Sequence, residues 1–218
     1  MKKGKFIVMD GSDGSGKQTQ VALLVEYLRA QGKKVSSLDF PRYQDNFHGR
    51  LLKRALAGEF GDFLSLTPYT ASVLYTGDRF ESSGEIKDRL AAGEIVVADR
   101  FTTANMIHQG GKFTDPVKRQ EYLDWITNLE YGYLEMPKPD VILFLRVPVA
   151  ISLKLLEGKQ GKDKAEENIP YLTRSLACAE AIAPQYSWVL IDCAPTGELR
   201  PREDIHQDIV TKVKPFLS

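Results

Sequence analysis

The consecutive residues Gly11-Ser12-Asp13-Gly14-Ser15-Gly16-Lys17-Gln18-Thr19 hold the most specific chemistry in this 218-residue chain. An apolar run, Phe6-Ile7-Val8-Met9, leads into three glycines and a lysine, and an amphipathic segment from Val21 to Arg29 follows. Between a strand and a helix, such glycines let the backbone close around a polyphosphate with successive N–H groups turned inward, and the helix N-terminus adds positive field. Lys17 supplies a mobile cation for β- and γ-phosphates. Gly11 to Thr19 is therefore the candidate cradle for the phosphates of a nucleotide. Gln18 departs from the strict pattern, which places a Mg²⁺-ligating Ser or Thr there, and Thr19 comes one residue later.

A second cluster lies at Val96-Val97-Ala98-Asp99-Arg100, an apolar run that ends in an acid and a base. An Asp in that place can hold Mg²⁺ directly or through water, and an Arg can grip phosphate with paired hydrogen bonds. Alone, the pair reads as a local ion pair; behind a phosphate loop the balance moves toward function. Arg42, in Asp39-Phe40-Pro41-Arg42-Tyr43, and Arg79, in Leu74-Tyr75-Thr76-Gly77-Asp78-Arg79, lie outside amphipathic surface patterns. Converging with Arg100 they suit a second phosphorylated ligand; singly, each reads as a surface or structural arginine. Tyr75 sits one helical turn before Arg79 and shares its face, where a ring can stack a base. Periodicity assigns Tyr75 equally well to core packing.

Other chemistries are excluded. His48, His108 and His206 lack metal-ligand spacing, no Cys–His zinc pattern exists, and no Gly-x-Ser-x-Gly elbow marks a hydrolytic serine. With 29 basic and 29 acidic residues the chain has no net charge, and no like-charged block suggests a nucleic-acid tail. Cys178 and Cys193 are expected to be reduced. The basic N-terminus lacks a long apolar h-region, and no apolar run reaches membrane-spanning length, which leads to the expectation of a cytoplasmic protein with no membrane partner.

The elements that must position these groups alternate along the chain. Apolar runs at Lys5–Met9, Lys34–Phe40, Glu94–Ala98, Val141–Val147 and Trp188–Cys193 are dense in Val, Ile, Leu and Phe without alternation, as in strands buried on both faces. Helical patterns fall at Gln18–Gln31, Pro68–Ala92, Pro116–Tyr131, Val149–Leu156, Ile169–Tyr186 and Arg202–Phe216. The alternation predicts an α/β fold, a five-stranded parallel sheet with helices on both faces and ligands at the strands' carboxyl ends. Both candidate clusters follow strands there. Gly158 to Glu167 is rich in charge and glycine and reads as a surface loop or as a lid over phosphates.

In order along the chain stand GSDGSGKQTQ, DFPRY, LYTGDRFE, DRFTTANMIHQGG and the charged 158–167 segment. Over nearly the whole length this set resembles the thymidylate kinase family. The resemblance implies a P-loop NTPase three-layer sandwich, a single domain over 1–218 with a short lid at about 157–168, and transfer of the γ-phosphoryl of ATP to dTMP, giving dTDP. The same scaffold also suits a kinase for another nucleoside monophosphate or a non-catalytic nucleotide-binding relative. By resemblance, Asp13 binds the substrate sugar hydroxyl, Tyr75 takes the place of a thymine-stacking aromatic, and Arg79 and Arg100 take those of phosphate-binding arginines. Asn105 and Gln109 fall in the segment lining the base pocket, and Phe40, Pro41 and Arg42 in the segment that meets the substrate. Lys17, Asp99, Arg100 and the lid residue Lys162 form the implied catalytic set, with Asp99 and Gln18 nearest Mg²⁺. A homodimer is implied, with no nucleic-acid partner. The chain departs from the family at Gln18, at Phe101 in place of Tyr, and at Ala104 in place of Ser. Gly14 leaves no arginine in the loop, so the compensating cation falls to a lid that offers Lys159, Lys162 and Lys164.

Overall fold

A computed structural model describes residues 3–12, 14–157 and 168–217. The five apolar runs become β1 (Phe6–Gly11), β2 (Val35–Asp39), β3 (Ile95–Asp99), β4 (Val141–Arg146) and β5 (Val189–Asp192). They form one parallel sheet in the order β2-β3-β1-β4-β5. Every residue of β1 is buried. Ile7 and Met9 join a core with Leu24 and Leu28 of helix α1 (Lys17–Ala30), while Phe6 and Val8 join another with Phe101 and Met136. Apolar side chains on both faces of the strand explain the unbroken hydrophobic run.

Two helical expectations change. The long stretch from Pro68 divides at Ser82 into α3 (Pro68–Glu81) and α4 (Ser83–Ala91). The Ser82 hydroxyl accepts hydrogen bonds from Arg42 Nη1 and Asn46 Nδ2, contacts from another segment that periodicity does not report. The pattern at Pro116–Tyr131 becomes α6 (Pro116–Thr127) followed by a π-helical turn, Asn128–Tyr133. Two helices were not expected: α2 (Phe47–Leu56) and α5 (Thr102–His108). The remaining helices, α7 (Val149–Leu156), α8 (Ile169–Ile182) and α9 (Arg202–Val213), fall where the pattern put them. The segment expected as a lid lies, apart from Glu157 and Asn168, outside the described residues.

Helix α2 owes its place to close approach. A Cβ on Gly49 would lie 2.0 Å from the Arg42 carbonyl oxygen, and one on Gly77 of α3 would lie 2.4 Å from the His48 ring. Leu52 and Ala55 of α2 then bury against Ala71 of α3. The sequence of α2, basic and interrupted by glycine, hides this helix because its packing decides it.

Gly49→Ala is expected to lower stability by about 1–3 kcal/mol, since backbone cannot yield as a flexible side chain would. Gly84 of α4 has open space at its Cβ position, so Gly84→Ala should stabilise by about 0.5–1 kcal/mol through the unfolded state. Urea unfolding of the two variants checks the contrast; equal effects would refute it.

Candidate active site

The loop after β1 is shaped by its glycines. Gly11, Gly14 and Gly16 have φ of 156°, 74° and 78°. A Cβ on Gly11 would meet the Leu145 carbonyl oxygen at 2.6 Å, and one on Gly14 the Ser152 carbonyl oxygen at 2.9 Å. At Gly16 nothing lies within 4 Å, which leaves room for a ligand. Gly16 caps α1 without a side-chain hydrogen bond, so the first N–H groups of a 14-residue helix keep their attraction for an anion. Lys17 Nζ donates to the carbonyl oxygens of Gly11 at 2.9 Å and Ser12 at 2.8 Å. The loop is anchored by Asp10, fully buried, which accepts from Gly11 N at 2.9 Å and from Thr103 Oγ1 at 2.6 Å.

Beside the loop, Asp99 ends β3 opposite Met9 of β1 and Asp39 of β2. Its Oδ1 is buried with no hydrogen-bond partner. Burial raises the Asp99 pKa, and the fields of Lys17 and Arg100 oppose the rise while Asp10 and Asp39 add to it. Arg100 adopts φ of 67°, a left-handed conformation that costs a non-glycine residue energy and recurs at functional sites. Its Nη1 lies 3.0 Å from His108 Nε2, and the His108 ring stacks on Tyr171 at 13° with centroids 5.7 Å apart.

These groups border one cavity of about 1320 Å³. Of the residues singled out in the sequence, Gly14, Ser15, Gly16, Lys17, Gln18, Thr19, Phe40, Pro41, Tyr75, Arg79, Asp99, Arg100, Asn105 and Gln109 line it. Tyr75 meets Phe63 edge to face, centroids 5.8 Å apart. The Oε1 atom of Gln109 is a buried acceptor with no partner.

Others are elsewhere. Gly11 and Ser12 stand behind the lining and receive Lys17. Arg42 does not line the cavity: its guanidinium donates to Glu85 at 2.8 Å, to Ser82 at 3.1 Å and to Asp45 at 3.1 Å, and its backbone N–H to Asp78 at 3.0 Å. Arg79 lines the cavity, yet its Nε and Nη2 donate to Glu130 at 3.1 and 2.5 Å. Asp13 and Lys162 lie outside the described residues.

Tyr43, His108, Lys112 and Tyr171, and also Leu199, Arg200 and Arg202, are not among the candidate site residues of the sequence, yet all line the cavity. Leu199 to Arg202 follow β5, and the rule that ligands gather at strand carboxyl ends was signal enough to find them. Gln20 Nε2 of α1 donates to the Arg202 carbonyl at 2.9 Å, tying that segment to the phosphate loop's helix. Lys112 donates to the carbonyls of Leu64 and Leu66, and burial lowers its pKa.

Comparison with known proteins assigns the family. The family model described as thymidylate kinase matches residues 9–209. Thymidylate kinase of Plasmodium falciparum is 32% identical over 213 residues, 97% of this chain and 90% of that protein. The human thymidylate kinase is 29% identical over 95% of this chain and 89% of its own length. A solved structure of thymidylate kinase from Candida albicans shares the fold with a TM-score of 0.75 at 20% identity, covering 98% of this chain and 92% of that one. The chain belongs to the thymidylate kinase family.

Proposed function

We propose that the protein transfers the γ-phosphoryl of ATP to dTMP, giving dTDP. The observation that carries this is the single cavity in which the phosphate loop and Asp99-Arg100 share walls with Tyr75, Asn105 and Gln109. A nucleotide switch needs one ligand site; this cavity offers polar groups for two ligands. Chemistry of this kind asks little covalent work of the protein. Lys17 and the α1 N-terminus hold the donor phosphates, Arg100 meets the acceptor phosphate, and the fixed positions replace the entropy of a two-body encounter.

The residues fit a Mg²⁺ ion that arrives with ATP. Asp99 offers a buried, unpartnered oxygen, and Gln18 lines the same cavity. Among the described residues no group of three or more His, Cys, Asp or Glu could build a cage by itself, which suits an ion held by one carboxylate, phosphate oxygens and water. When bound, the ion would neutralise charge on the β- and γ-phosphates. Lys162 is the proposed lid cation and Asp13 the proposed sugar ligand. The unpartnered Gln109 Oε1 suits a ring N–H donor, which thymine carries at N3 and cytosine lacks; dCMP would leave two acceptors facing each other.

The proposed assembly is a single-domain subunit in a homodimer, in the cytoplasm. Tyr69, Val73 and Phe80 of α3 and Phe47 of α2 are exposed apolar side chains that such a contact would cover. Among the described residues, no helix is long and apolar enough to cross a membrane.

Lys17→Met should cut kcat by about 10²-fold or more with an unchanged thermal melt. Near-normal kcat in the folded variant would end the phosphate-cradle reading.

Asp99→Asn separates activity from stability. Burial raises the folded-state pKa, so above that pKa the ionised carboxylate opposes folding, and an amide relieves the opposition. The variant should keep or raise its melting temperature in the absence of nucleotide and metal while losing kcat at every Mg²⁺ concentration. A variant that melts earlier and works normally would contradict both halves.

Gln109→Leu should raise KM for dTMP about tenfold, leave KM for ATP in place, and narrow the preference for dTMP over dCMP. Steady-state kinetics with both monophosphates decide it. An unchanged preference would move base recognition away from Gln109.

A further inference from the structure

The most completely satisfied carboxylate near the cavity belongs to a residue that does not line it. Glu130 is fully buried, and each of its oxygens accepts twice. Oε1 receives Arg79 Nη2 at 2.5 Å and Thr76 Oγ1 at 2.7 Å; Oε2 receives Arg79 Nε at 3.1 Å and Thr102 Oγ1 at 2.5 Å. The four bonds reach two elements of the cavity wall. Thr76 and Arg79 belong to α3, where Thr76 adjoins Tyr75; Thr102 opens α5, two residues after Arg100. One carboxylate thus references three lining residues, Tyr75, Arg79 and Arg100, to a single point.

Two features argue against simple core filling. A buried ion pair costs desolvation that well-packed apolar residues would avoid, so it is weak evidence of stabilisation. Here the side-chain exposures are 2% for Arg79 and 0% for Glu130, so the desolvation is close to complete. Glu130 also sits in the π-helical turn Asn128–Tyr133, an irregularity that resets the helical phase and is frequent at functional sites. Burial works against the charge of Arg79, but the field and hydrogen bonds of Glu130 outweigh it, so the guanidinium remains ionised. With Nε and Nη2 occupied by Glu130, Nη1 is the remaining nitrogen of the fork, on a residue that borders the cavity.

We infer that Glu130 is a positioning residue for the acceptor nucleotide: it fixes the Arg79 fork, the Thr76 turn of α3 and the start of α5 so that Arg79 meets the monophosphate as one half of a neutral pair. The inference rests on the proposed dTMP kinase activity. It does not make Glu130 a ligand, since the carboxylate is sealed behind the wall.

The test is dTMP binding by calorimetry, with steady-state kinetics, on the full chain carrying Glu130→Gln, Arg79→Met, or both. Glu130→Gln should weaken dTMP binding about tenfold and leave KM for ATP within about twofold. In the Arg79→Met background the same change should cost less than about twofold in dTMP binding, because its route runs through Arg79. Thr102→Val and Thr76→Val, which keep the ion pair and remove one hydroxyl each, should give smaller losses confined to dTMP; they carry the test if Glu130→Gln fails to fold. Equal weakening of dTMP and ATP, full retention of dTMP affinity, or an undiminished loss in the Arg79→Met background would each overturn the inference. Failure of the unaltered protein to bind dTMP would instead overturn the functional reading beneath it.

Discussion

Parallel pairing of β1 with β3, with Met9 opposite Asp99, is the constraint on which the site depends. Parallel strands leave their carboxyl ends on one edge of the sheet, and here the register is tight enough to set backbone against backbone. The Arg100 N–H donates to the Met9 carbonyl at 2.9 Å, and the Phe40 N–H to the Asp99 carbonyl at 3.0 Å. The loops after β1, β2 and β3 therefore leave together, and the phosphate loop, Phe40-Pro41 and Asp99-Arg100 become neighbours although they are far apart in the chain. β4 closes the other side of β1, where Gly11 faces Leu145. A strand slipped by one residue would turn Asp99 to the other face and dissolve the site.

Electrostatics at that edge are arranged against the chain's neutral average. Lys17 and Arg100 bring positive charge to a cavity that Asp99 and Asp39 also line, and burial, with the negative field of Asp10 and Asp39, raises the cost of ionising Asp99. The protein keeps an ionisable group where folding alone would prefer an amide, a trade expected where binding a cation or phosphate repays it. Arg100 in a left-handed conformation belongs to the same pattern, in which local strain is held by a well-determined surrounding structure.

The parts legible in the sequence were those decided locally. The unbroken apolar runs announced parallel strands, but burial on both faces holds for the inner strand β1 and not for the edge strands β2 and β5, which include exposed residues. Gly11 to Lys17 announced the glycine-shaped loop through residue types that few other structures require. Helices α2 and α5 were illegible because packing decides them: Gly49 and Gly77 read as interruptions until α2 lies against α3. Arg42 and Arg79 looked alike as isolated arginines. Apart from Asp45, three residues after Arg42, the acidic partners lie far off: Glu85 is 43 residues from Arg42, and Glu130 is 51 residues from Arg79. No periodic pattern carries information over that distance. Gln109 was placed only through family resemblance; that its Oε1 is a buried acceptor without a partner is a fact of the packing that residue type and spacing do not carry.

The most direct measurement is a chromatographic product analysis of the protein with ATP, Mg²⁺ and, in turn, dTMP, dUMP, dCMP, AMP and GMP. The account predicts ADP and dTDP in equal amounts, formed only when ATP and dTMP are both present, with dTMP the fastest acceptor. Loss of ATP at the same rate without any monophosphate, or no dTDP from a folded protein at saturating substrates, would contradict it.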